Sequence, residues 1–560
     1  MRISNVSIKN FRSIQSVEFP LGNICALIGP NNAGKSNVLH ALHRVFARDW
    51  VTVSSFTEDD VYGRDPERDI NIDISLEPHA SYHKVKGAKP CEVATLSFTF
   101  TRYKIGVDKG QRRLEQKCLA PNGEQAMVMS KALKAGVKPE FQAVVGIPSD
   151  VRDQIPLIYL GSHRLLKDQL PGARYSLLRQ LFEDVNEDFN NPARTIEVVA
   201  PDGTKTQVPR KDRFTHLMRE ALAVLKTEDF TKLETSIKNS ALRQLGFDPA
   251  TEGDQLALYF TPFDSMDFYK SLDMRIKEGQ FSISATETGE GIQNAIVLAI
   301  LRAFEERRKQ GAIILIEEPE IFLHPQMQRS LYKTLRKIGE TNQVIYTTHS
   351  PHFVSIPEFA EVALVRKTAA GTKVTQSTLK ADAKRRERLI KELDPERSEL
   401  FFATRLLVVE GDTEKLALPE YAKNLGLDLD KSGASIVEAG GKRNLKELVE
   451  IATSFNIPTG VLYDQDSSDF SDKEAENVFN AELDALATAN GSVKVWRLSK
   501  NYESHLRQAL TEPVYQQLCQ KYAAEAGRSK PVQARLIATE QAQPIPSPVE
   551  EILKWLVGAV

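Results

Sequence analysis

The sequence contains little cysteine and carries almost no net charge. Its four cysteines are scattered over 560 residues, a pattern that argues against a disulfide framework or a cysteine-based zinc site and fits a reducing cytoplasm. Lys and Arg together number 73 and Asp and Glu 75, so the formal net charge is −2. Any nucleic acid would therefore have to bind local basic patches rather than an overall basic surface.

Long hydrophobic runs are also missing. No apolar stretch approaches the length of about 18 residues that a membrane-spanning helix needs. The first ten residues alternate like a β-strand and contain no signal-peptide core. With 41% hydrophobic residues, we expect a globular cytoplasmic protein that does not enter a membrane. Since 560 residues are too many for one core, we expect two or three domains.

The first motif that carries chemistry is a glycine-containing loop between an apolar run at 24–28 and a helical pattern at 37–46. This order of strand, loop and helix is the context that a phosphate-binding loop requires. Its backbone N–H groups would face a triphosphate, Lys35 would reach the β- and γ-phosphates, and the Ser36 hydroxyl would ligate Mg²⁺. The residues assigned to nucleotide binding here are Gly29, Asn31, Asn32, Gly34, Lys35 and Ser36.

Two later apolar strands end in polar residues. The strand at 312–316 runs into Glu317 and Glu318, and the strand at 343–348 runs into His349. In an open α/β sheet the ligand crevice lies at such carboxyl ends. We assign Glu317 to Mg²⁺ binding, Glu318 to orienting or deprotonating the attacking water, and His349 to the γ-phosphate. Taken alone, the acidic pair could equally be a helix cap.

A second acidic cluster follows two apolar strands near the C-terminus. Glu410 ends one strand and Glu414 lies four residues later, while Asp464 and Asp466 end the other. Four neighbouring carboxylates cannot all stay ionised unaided, and divalent cations relieve the conflict. We therefore expect bound Mg²⁺ or Mn²⁺, although each acidic pair taken singly is more often a cap or a turn.

Between the phosphate loop and the strand at 312–316, residues 165–245 have apolar residues at helical spacing, which indicates a helical insertion. A dimerisation arm and a simple packing subdomain both explain this pattern.

Residues 380–397 are highly charged, a composition that favours a solvated linker over a DNA contact. The expected fold is α/β, and the expected divisions are 1–164 (phosphate-loop domain, first part), 165–271 (helical insertion), 272–379 (phosphate-loop domain, second part), 380–398 (linker) and 399–560 (C-terminal domain with the second acidic cluster).

In the first half, the motif order resembles that of the ABC/SMC-type ATPases. The phosphate loop is followed by Thr288-Gly289-Glu-Gly, which resembles their signature loop, then by Glu317-Glu318-Pro-Glu and by the sequence around His349. The resemblance implies an ABC-type mixed sheet, ATP as the nucleotide, and a homodimer or higher even oligomer in which Thr288 and Gly289 contact ATP held by another subunit. Glu317 stands where Asp is usual, and the signature is not Ser-Gly-Gly-Gln.

The C-terminal pattern of Glu-Gly-x-x-Glu and Asp-x-Asp at two strand ends resembles the Toprim domain, which has a parallel sheet. An ABC-type ATPase followed by Toprim is the layout of the OLD (overcoming lysogenization defect) family of nucleases, which includes the nuclease subunit of the Gabija anti-phage system. The resemblance implies metal-dependent DNA cleavage, a further metal-site acid at Glu503 and a catalytic lysine at Lys530. It also implies a defence role with a helicase-like or other partner.

Two functions therefore stand against each other. The first is an ATP-regulated DNA endonuclease, in which Glu410 and the other acids hold catalytic cations. The second is an SMC-like DNA-binding or repair ATPase whose Toprim domain only docks partners. Strand breaks would distinguish them. A topoisomerase fits less well because no tyrosine is marked as a nucleophile, and a primase because no zinc-binding set is present.

Overall fold

The computed structural model describes the chain except for residues 47–50, 86–87, 131–139, 163, 174–175, 200, 256–263, 308–310, 355, 378, 380–394, 466–472, 490, 542–543 and 560. The chain divides into two compact units, Met1–Ser162 with Gln310–Val560, and His163–Lys309. The first of these units contains both the ATPase core and the C-terminal domain. The finer boundaries expected from the sequence stay a prediction.

In chain order, the strands among the described residues are β1 (Arg2–Phe11), β2 (Ile14–Pro20), β3 (Ile24–Ile28), β4 (Ile70–Tyr82), β5 (Cys91–Arg102), β6 (Arg112–Leu119), β7 (Met127–Met129), β8 (Phe141–Ala143), β9 (Leu157–Leu160), β10 (Thr195–Val199), β11 (Lys205–Pro209), β12 (Arg275–Glu278), β13 (Phe281–Ser284), β14 (Ile313–Glu317), β15 (Gln343–Thr348), β16 (Val362–Thr368), β17 (Gly371–Gln376), β18 (Arg405–Val409), β19 (Ala434–Glu438), β20 (Thr459–Asp464) and β21 (Val493–Leu498).

The α-helices in the same part of the chain are α1 (Lys35–Phe46), α2 (Ser149–Asp153), α3 (Leu177–Asn190), α4 (Arg210–Leu225), α5 (Glu228–Gln244), α6 (Ser265–Lys270), α7 (Glu290–Arg307), α8 (Pro325–Ile338), α9 (Asp412–Asn424), α10 (Leu429–Ser432), α11 (Leu445–Ser454), α12 (Lys473–Ala489), α13 (Tyr502–Leu510), α14 (Glu512–Lys521), α15 (Ala523–Ala526), α16 (Lys530–Ala538) and α17 (Val549–Leu556). Short 3₁₀ helices near the sites are Ala285–Glu287, Pro351–Phe353, Pro395–Phe402 and Lys442–Asn444.

The ATPase half is built on two sheets. A six-stranded sheet has the order β17-β16-β3-β15-β14-β9, with parallel pairs throughout except for antiparallel β16 and β17. An antiparallel sheet of order β2-β1-β4-β5-β6 completes this half. One buried cluster joins helix α1 to the inner residues of both sheets. Since β3, β15 and β14 are parallel neighbours, their carboxyl ends and the motifs that follow them lie at one edge.

The C-terminal domain has a sheet of order β19-β18-β20-β21 in which every pair is parallel. Strands β18 and β20 are apolar and buried along most of their length. Helices α9, α13, α16 and α17 pack on the sheet around Trp496 and Trp555. The predicted α/β class, with a mixed sheet and then a parallel Toprim-type sheet, is confirmed. The acidic ends of β18 and β20 are neighbours.

The unit His163–Lys309 contains helices α3 to α7, of which α3 to α5 lie in the stretch 165–245 where the apolar spacing predicts helices. It also contains the hairpin β10–β11, which the helical interpretation overlooked. The hairpin turns at Asp202-Gly203, where Gly203 has a φ of +83°, a conformation that glycine adopts without strain. No helix in the described part of the chain is long and apolar enough to cross a membrane.

Candidate nucleotide and metal sites

The phosphate loop joins β3 to helix α1, as the sequence predicts. Gly29 and Gly34 have φ angles of +145° and +104°, a region that side chains other than glycine avoid. A Cβ atom on Gly29 would lie 2.0 Å from the carbonyl oxygen of Val365, so the neighbouring strand leaves no room for one. Helix α1 then begins at Lys35, with its N-terminus at the loop, which favours an anion there.

Lys35 is buried in this loop with 5% exposure. Its Nζ donates to the carbonyl oxygens of Gly29 (2.9 Å) and Pro30 (3.1 Å) and lies 2.7 Å from Nε2 of His349. Burial lowers the pKa of Lys35 to about 8, against the opposing charges of Glu318 and Glu320. The structure therefore brings the phosphate-loop lysine and the histidine at the end of β15 into direct contact.

Glu317, at the end of β14, lies beside the phosphate loop and helix α1. Its Oε1 is 3.2 Å from Nε2 of His40. Burial would raise the pKa of Glu317, but hydrogen bonds from His40 and from the Ser36 hydroxyl outweigh burial and lower the pKa. Arg12 donates to Nδ1 of His40 at 2.6 Å, and because arginine is only a donor, the ring proton is on Nε2 and faces Glu317. Sequence reasoning missed His40.

Glu318 has a φ of +41°, which strains a residue with a side chain. Its N–H donates to both the carbonyl and the hydroxyl oxygen of Thr347, each at 3.0 Å, so β15 holds the strained backbone. Oε1 of Glu318 lies 3.4 Å from Nε2 of His349. The residues assigned to water activation and to the γ-phosphate are therefore adjacent.

Glu320 is a second residue whose role sequence reasoning missed. Its Oε1 accepts from the Thr348 hydroxyl (2.6 Å) and from the backbone N–H groups of His349 (2.8 Å) and Ser350 (3.2 Å). Burial raises its pKa. This carboxyl fixes the backbone that presents His349. The only sequence signal for Glu320 is its position three residues after Glu317. That spacing does not reveal the hydrogen-bond partners.

The signature-like loop lies in the unit His163–Lys309. The Thr288 hydroxyl is buried and donates to the carbonyl oxygen of Ala285 at 2.7 Å. Nε2 of Gln293 donates to the carbonyl oxygen of Thr288 at 2.8 Å, while Gly289 is exposed just before α7. The loop is thus a fixed turn at a helix N-terminus. Its predicted contact with ATP of another subunit stays a prediction.

In the C-terminal domain, Glu410 follows β18, Glu414 lies in the first turn of α9, and Asp464 ends β20. Burial raises the pKa of Glu414 to about 7, and the negative charges of Glu410 and Glu503 add to this effect. Glu414 thus lies within electrostatic range of both acids. Asp466, the fourth predicted acid, lies outside the described residues.

The two assignments that came only from resemblance also lie together. Glu503 is in the first turn of α13 and Lys530 begins α16. Nζ of Lys530, on a side chain with 78% exposure, is 3.5 Å from Oε1 of Glu503. Helix N-caps from Asn501 and Ser529 fix both first turns. Glu503 thus connects the lysine to the pocket of Glu414.

The donor set suits a hard divalent cation. Its members are carboxylate oxygens, the ligands that Mg²⁺ and Mn²⁺ prefer. The positive charge of a bound cation would lower the pKa of Glu414, opposing the negative charges of Glu410 and Glu503 that help to raise it. In the part of the chain that the structure describes, no three His, Cys, Asp or Glu side chains already form a metal-binding group. Binding would therefore draw these side chains together.

Comparisons with known proteins agree with both halves. A family model described as an AAA ATPase domain matches residues 1–135 and 162–354. A model described as an overcoming lysogenization defect protein-like TOPRIM domain matches residues 401–466. These matches cover the phosphate loop and the strands that carry Glu410 and Asp464.

Two curated relatives and one solved structure are similar to the chain. The "OLD nuclease" of Thermus scotoductus is 27% identical over 83% of this chain and 82% of its own length. The "Endonuclease GajA" of Bacillus cereus (strain VD045) is 22% identical over 79% and 71%. An SMC head bound to the C-terminal winged-helix domain of ScpA covers 68% of this chain and 98% of its own at 11% identity, with a TM-score of 0.33.

Proposed function

Since the chain belongs to the OLD family, with an AAA-type ATPase domain followed by an OLD-like Toprim domain, we propose that it is an ATP-regulated, divalent-metal-dependent DNA endonuclease. The observation that carries this proposal is that Glu410, after β18, and the buried Glu414, in the first turn of α9, lie at one end of the parallel sheet. There the charges of Glu410 and Glu503 add to burial in raising the pKa of Glu414. A buried carboxyl that is surrounded by other carboxylates is suited to metal binding. Two relatives bear the names of nucleases.

In the nuclease site, Glu410, Glu414 and Asp464 would hold Mg²⁺ or Mn²⁺, with Asp466 and Glu503 as further ligands. Bound cations would polarise the scissile phosphate and lower the pKa of the attacking water. Lys530 is exposed, so its side chain would be accessible to a DNA phosphate, where its charge would stabilise the transition state. Before DNA binds, Glu503 would hold the lysine close to the place that the phosphate will occupy.

In the ATPase site, the phosphate loop would bind the triphosphate and Lys35 would neutralise its β- and γ-phosphates. Ser36 and Glu317 would hold Mg²⁺, which their direct hydrogen bond supports. Glu318 would orient the attacking water, and His349 would contact the γ-phosphate. The contact of His349 with both Lys35 and Glu318 supports these roles.

Homodimerisation would complete the ATP site, with Thr288 and Gly289 acting on the nucleotide of the other subunit. Helices α4 and α5 expose apolar side chains at helical spacing, a surface that suits a second copy of the chain. These exposed side chains are Leu217, Val224, Leu233 and Ile237. The family relation also supports cytoplasmic anti-phage defence with a helicase-like or other partner.

The direct test is cleavage of supercoiled plasmid by the full-length protein while the metal is varied. We expect nicked or linear products with Mg²⁺ or Mn²⁺ and none after chelation with EDTA, because the carboxylates alone cannot activate water for phosphodiester attack. Restoring the metal should restore cleavage. ATP-dependent DNA binding without strand breaks at any metal concentration would favour the docking alternative instead.

A series of contacts that runs from the segment after His349 to the end of β19 supports control of the nuclease by nucleotide. His349 leads into the 3₁₀ turn Pro351–Phe353, and the carbonyl oxygen of Val354 accepts from the buried Ser398 hydroxyl at 3.1 Å. Next to Ser398, Arg397 binds both carboxylate oxygens of Glu438 at 2.7 and 2.8 Å. Glu438 ends β19, beside the strand that carries Glu410. A shift of His349 on ATP binding would thus reach the nuclease strands.

We expect Arg397→Gln to weaken this control. Without the bidentate ion pair, plasmid cleavage should become equal with and without ATP, whereas a coupled chain should show a difference of about 5- to 150-fold. ATP hydrolysis should stay close to the wild-type rate. Arg497→Gln, which removes an exposed arginine–aspartate pair of the same domain, is the control. An unchanged response of Arg397→Gln to ATP would exclude this route.

A further inference from the structure

The loop after β19 contacts the ends of both acid-bearing strands. Gly440 and Gly441 have φ angles of +69° and +125° and so turn the chain sharply over the sheet edge. The N–H of Gly441 donates to the carbonyl oxygen of Glu410 at 3.0 Å, and the N–H of Ala439 donates to that of Val409 at 2.9 Å. The backbone of this loop is therefore attached to β18 at Glu410.

The next residue, Lys442, contacts the other strand end. Its Nζ donates to the carbonyl oxygen of Gln465 at 3.4 Å, immediately after Asp464, and lies 5.3 Å from the ring centroid of Tyr463. Asn480 of α12 donates to the same Gln465 carbonyl at 2.9 Å. Two consecutive residues of one loop thus hold the backbone beside Glu410 and beside Asp464.

Lys442 is buried, which is unusual for lysine. Its side chain has 8% exposure, and Nζ lies 2.7 Å from Oε1 of Glu476, which has 6% exposure. A buried ion pair adds little to stability, because desolvation of both charges offsets their attraction, and the best-attested use of such pairs is to fix one arrangement. The ammonium is enclosed by Glu476, Gln465 and Tyr463, so it is not presented to a DNA phosphate.

We propose that Lys442 is a positioning residue of the nuclease site, which sets the separation of Glu410 and Asp464 for cation binding. This inference rests on the proposed function, since it assigns a purpose to the distance between two proposed metal ligands. The ion pair with Glu476 fixes the orientation of the ammonium. Lys442 acts through the strand ends and touches neither metal nor substrate.

The experiment compares Mn²⁺ binding, measured by electron paramagnetic resonance, with the melting temperature of the same full-length variants. Lys442→Met should weaken Mn²⁺ binding by about 10- to 100-fold, the usual loss when a residue supporting metal ligands is removed. It should also lower the melting temperature, because the buried Glu476 loses its close partner and keeps only the more distant guanidinium of Arg443, at 3.7 Å. The double variant Lys442→Met/Glu476→Gln should recover melting temperature while its Mn²⁺ binding stays weak.

The control is Lys446→Met. Lys446, on α11, pairs at 2.9 Å with Glu482, which lies on α12 as Glu476 does. Both side chains of this pair are more than 40% exposed, so neither Mn²⁺ binding nor the melting temperature should change. Wild-type Mn²⁺ affinity in the double variant would overturn the inference and leave Lys442 as a partner for Glu476 only. A wild-type chain that neither binds Mn²⁺ nor cleaves DNA would instead remove the proposed function and this inference with it.

Discussion

Glu410→Ala is expected to abolish DNA cleavage and leave ATP hydrolysis intact. Glu410 lies at the end of β18, where its charge acts on the buried Glu414. Removing a direct metal ligand should cost more than the roughly 10- to 100-fold that loss of a supporting residue costs. We therefore expect a fall of more than about 100-fold in the rate of plasmid nicking with Mg²⁺ or Mn²⁺.

Glu550→Ala is the matched control for this prediction. Glu550 is an exposed glutamate of α17, paired only with Lys554 among the described residues, and its loss should not change nicking. If Glu410→Ala cuts plasmid at the wild-type rate, the acids at the sheet edge are not the metal site. Cleavage that is lost together with ATP hydrolysis would point to general misfolding rather than to loss of a ligand.

Lys35→Ala is expected to remove ATP hydrolysis. The Lys35 side chain is buried in the phosphate loop and in contact with His349, so no other cation of the loop replaces its charge. Loss of one preorganised donor to a developing charge slows catalysis by about 10²- to 10³-fold. Phosphate release measures the effect, and Lys9→Ala, a change at an exposed strand position, is the control.

The nuclease activity of Lys35→Ala also gives the direction of control. Faster cleavage than in the wild type would mean that bound ATP restrains the nuclease, and slower cleavage that ATP drives it. Unchanged hydrolysis in Lys35→Ala would contradict the assignment of the phosphate loop. Either direction of nuclease change is consistent with the contact of Val354 and Ser398 between the two sites.

The features that could be predicted from sequence are those with a local pattern. The phosphate loop needs a fixed spacing of glycines before Lys35, and the acids at 317–318 and 410–414 follow apolar strands directly. Parallel pairing then brings the motifs to one sheet edge, as β14, β15 and β3 show. The hairpin turning at 202–203 also had a local signal, an Asp-Gly pair between alternating residues, which the helical periodicity around it obscured.

The features that could not be predicted depend on residues brought together from distant parts of the chain. His40 and Glu317 meet because α1 packs beside β14. Glu320 finds its three donors on β15 and the turn after it. Lys442 and Glu476 are paired only because a glycine turn directs the lysine toward the end of β20. In each case the side chain types are unremarkable in sequence, and only the fold gives them a partner.

The most direct test of the account is an anomalous difference map from crystals of the full-length protein grown with Mn²⁺. We expect a strong peak within bonding distance of the carboxylate oxygens of Glu410, Glu414 and Asp464, which Glu410→Ala removes. A map in which Mn²⁺ avoids this sheet edge, from a protein that cleaves DNA, would contradict the account.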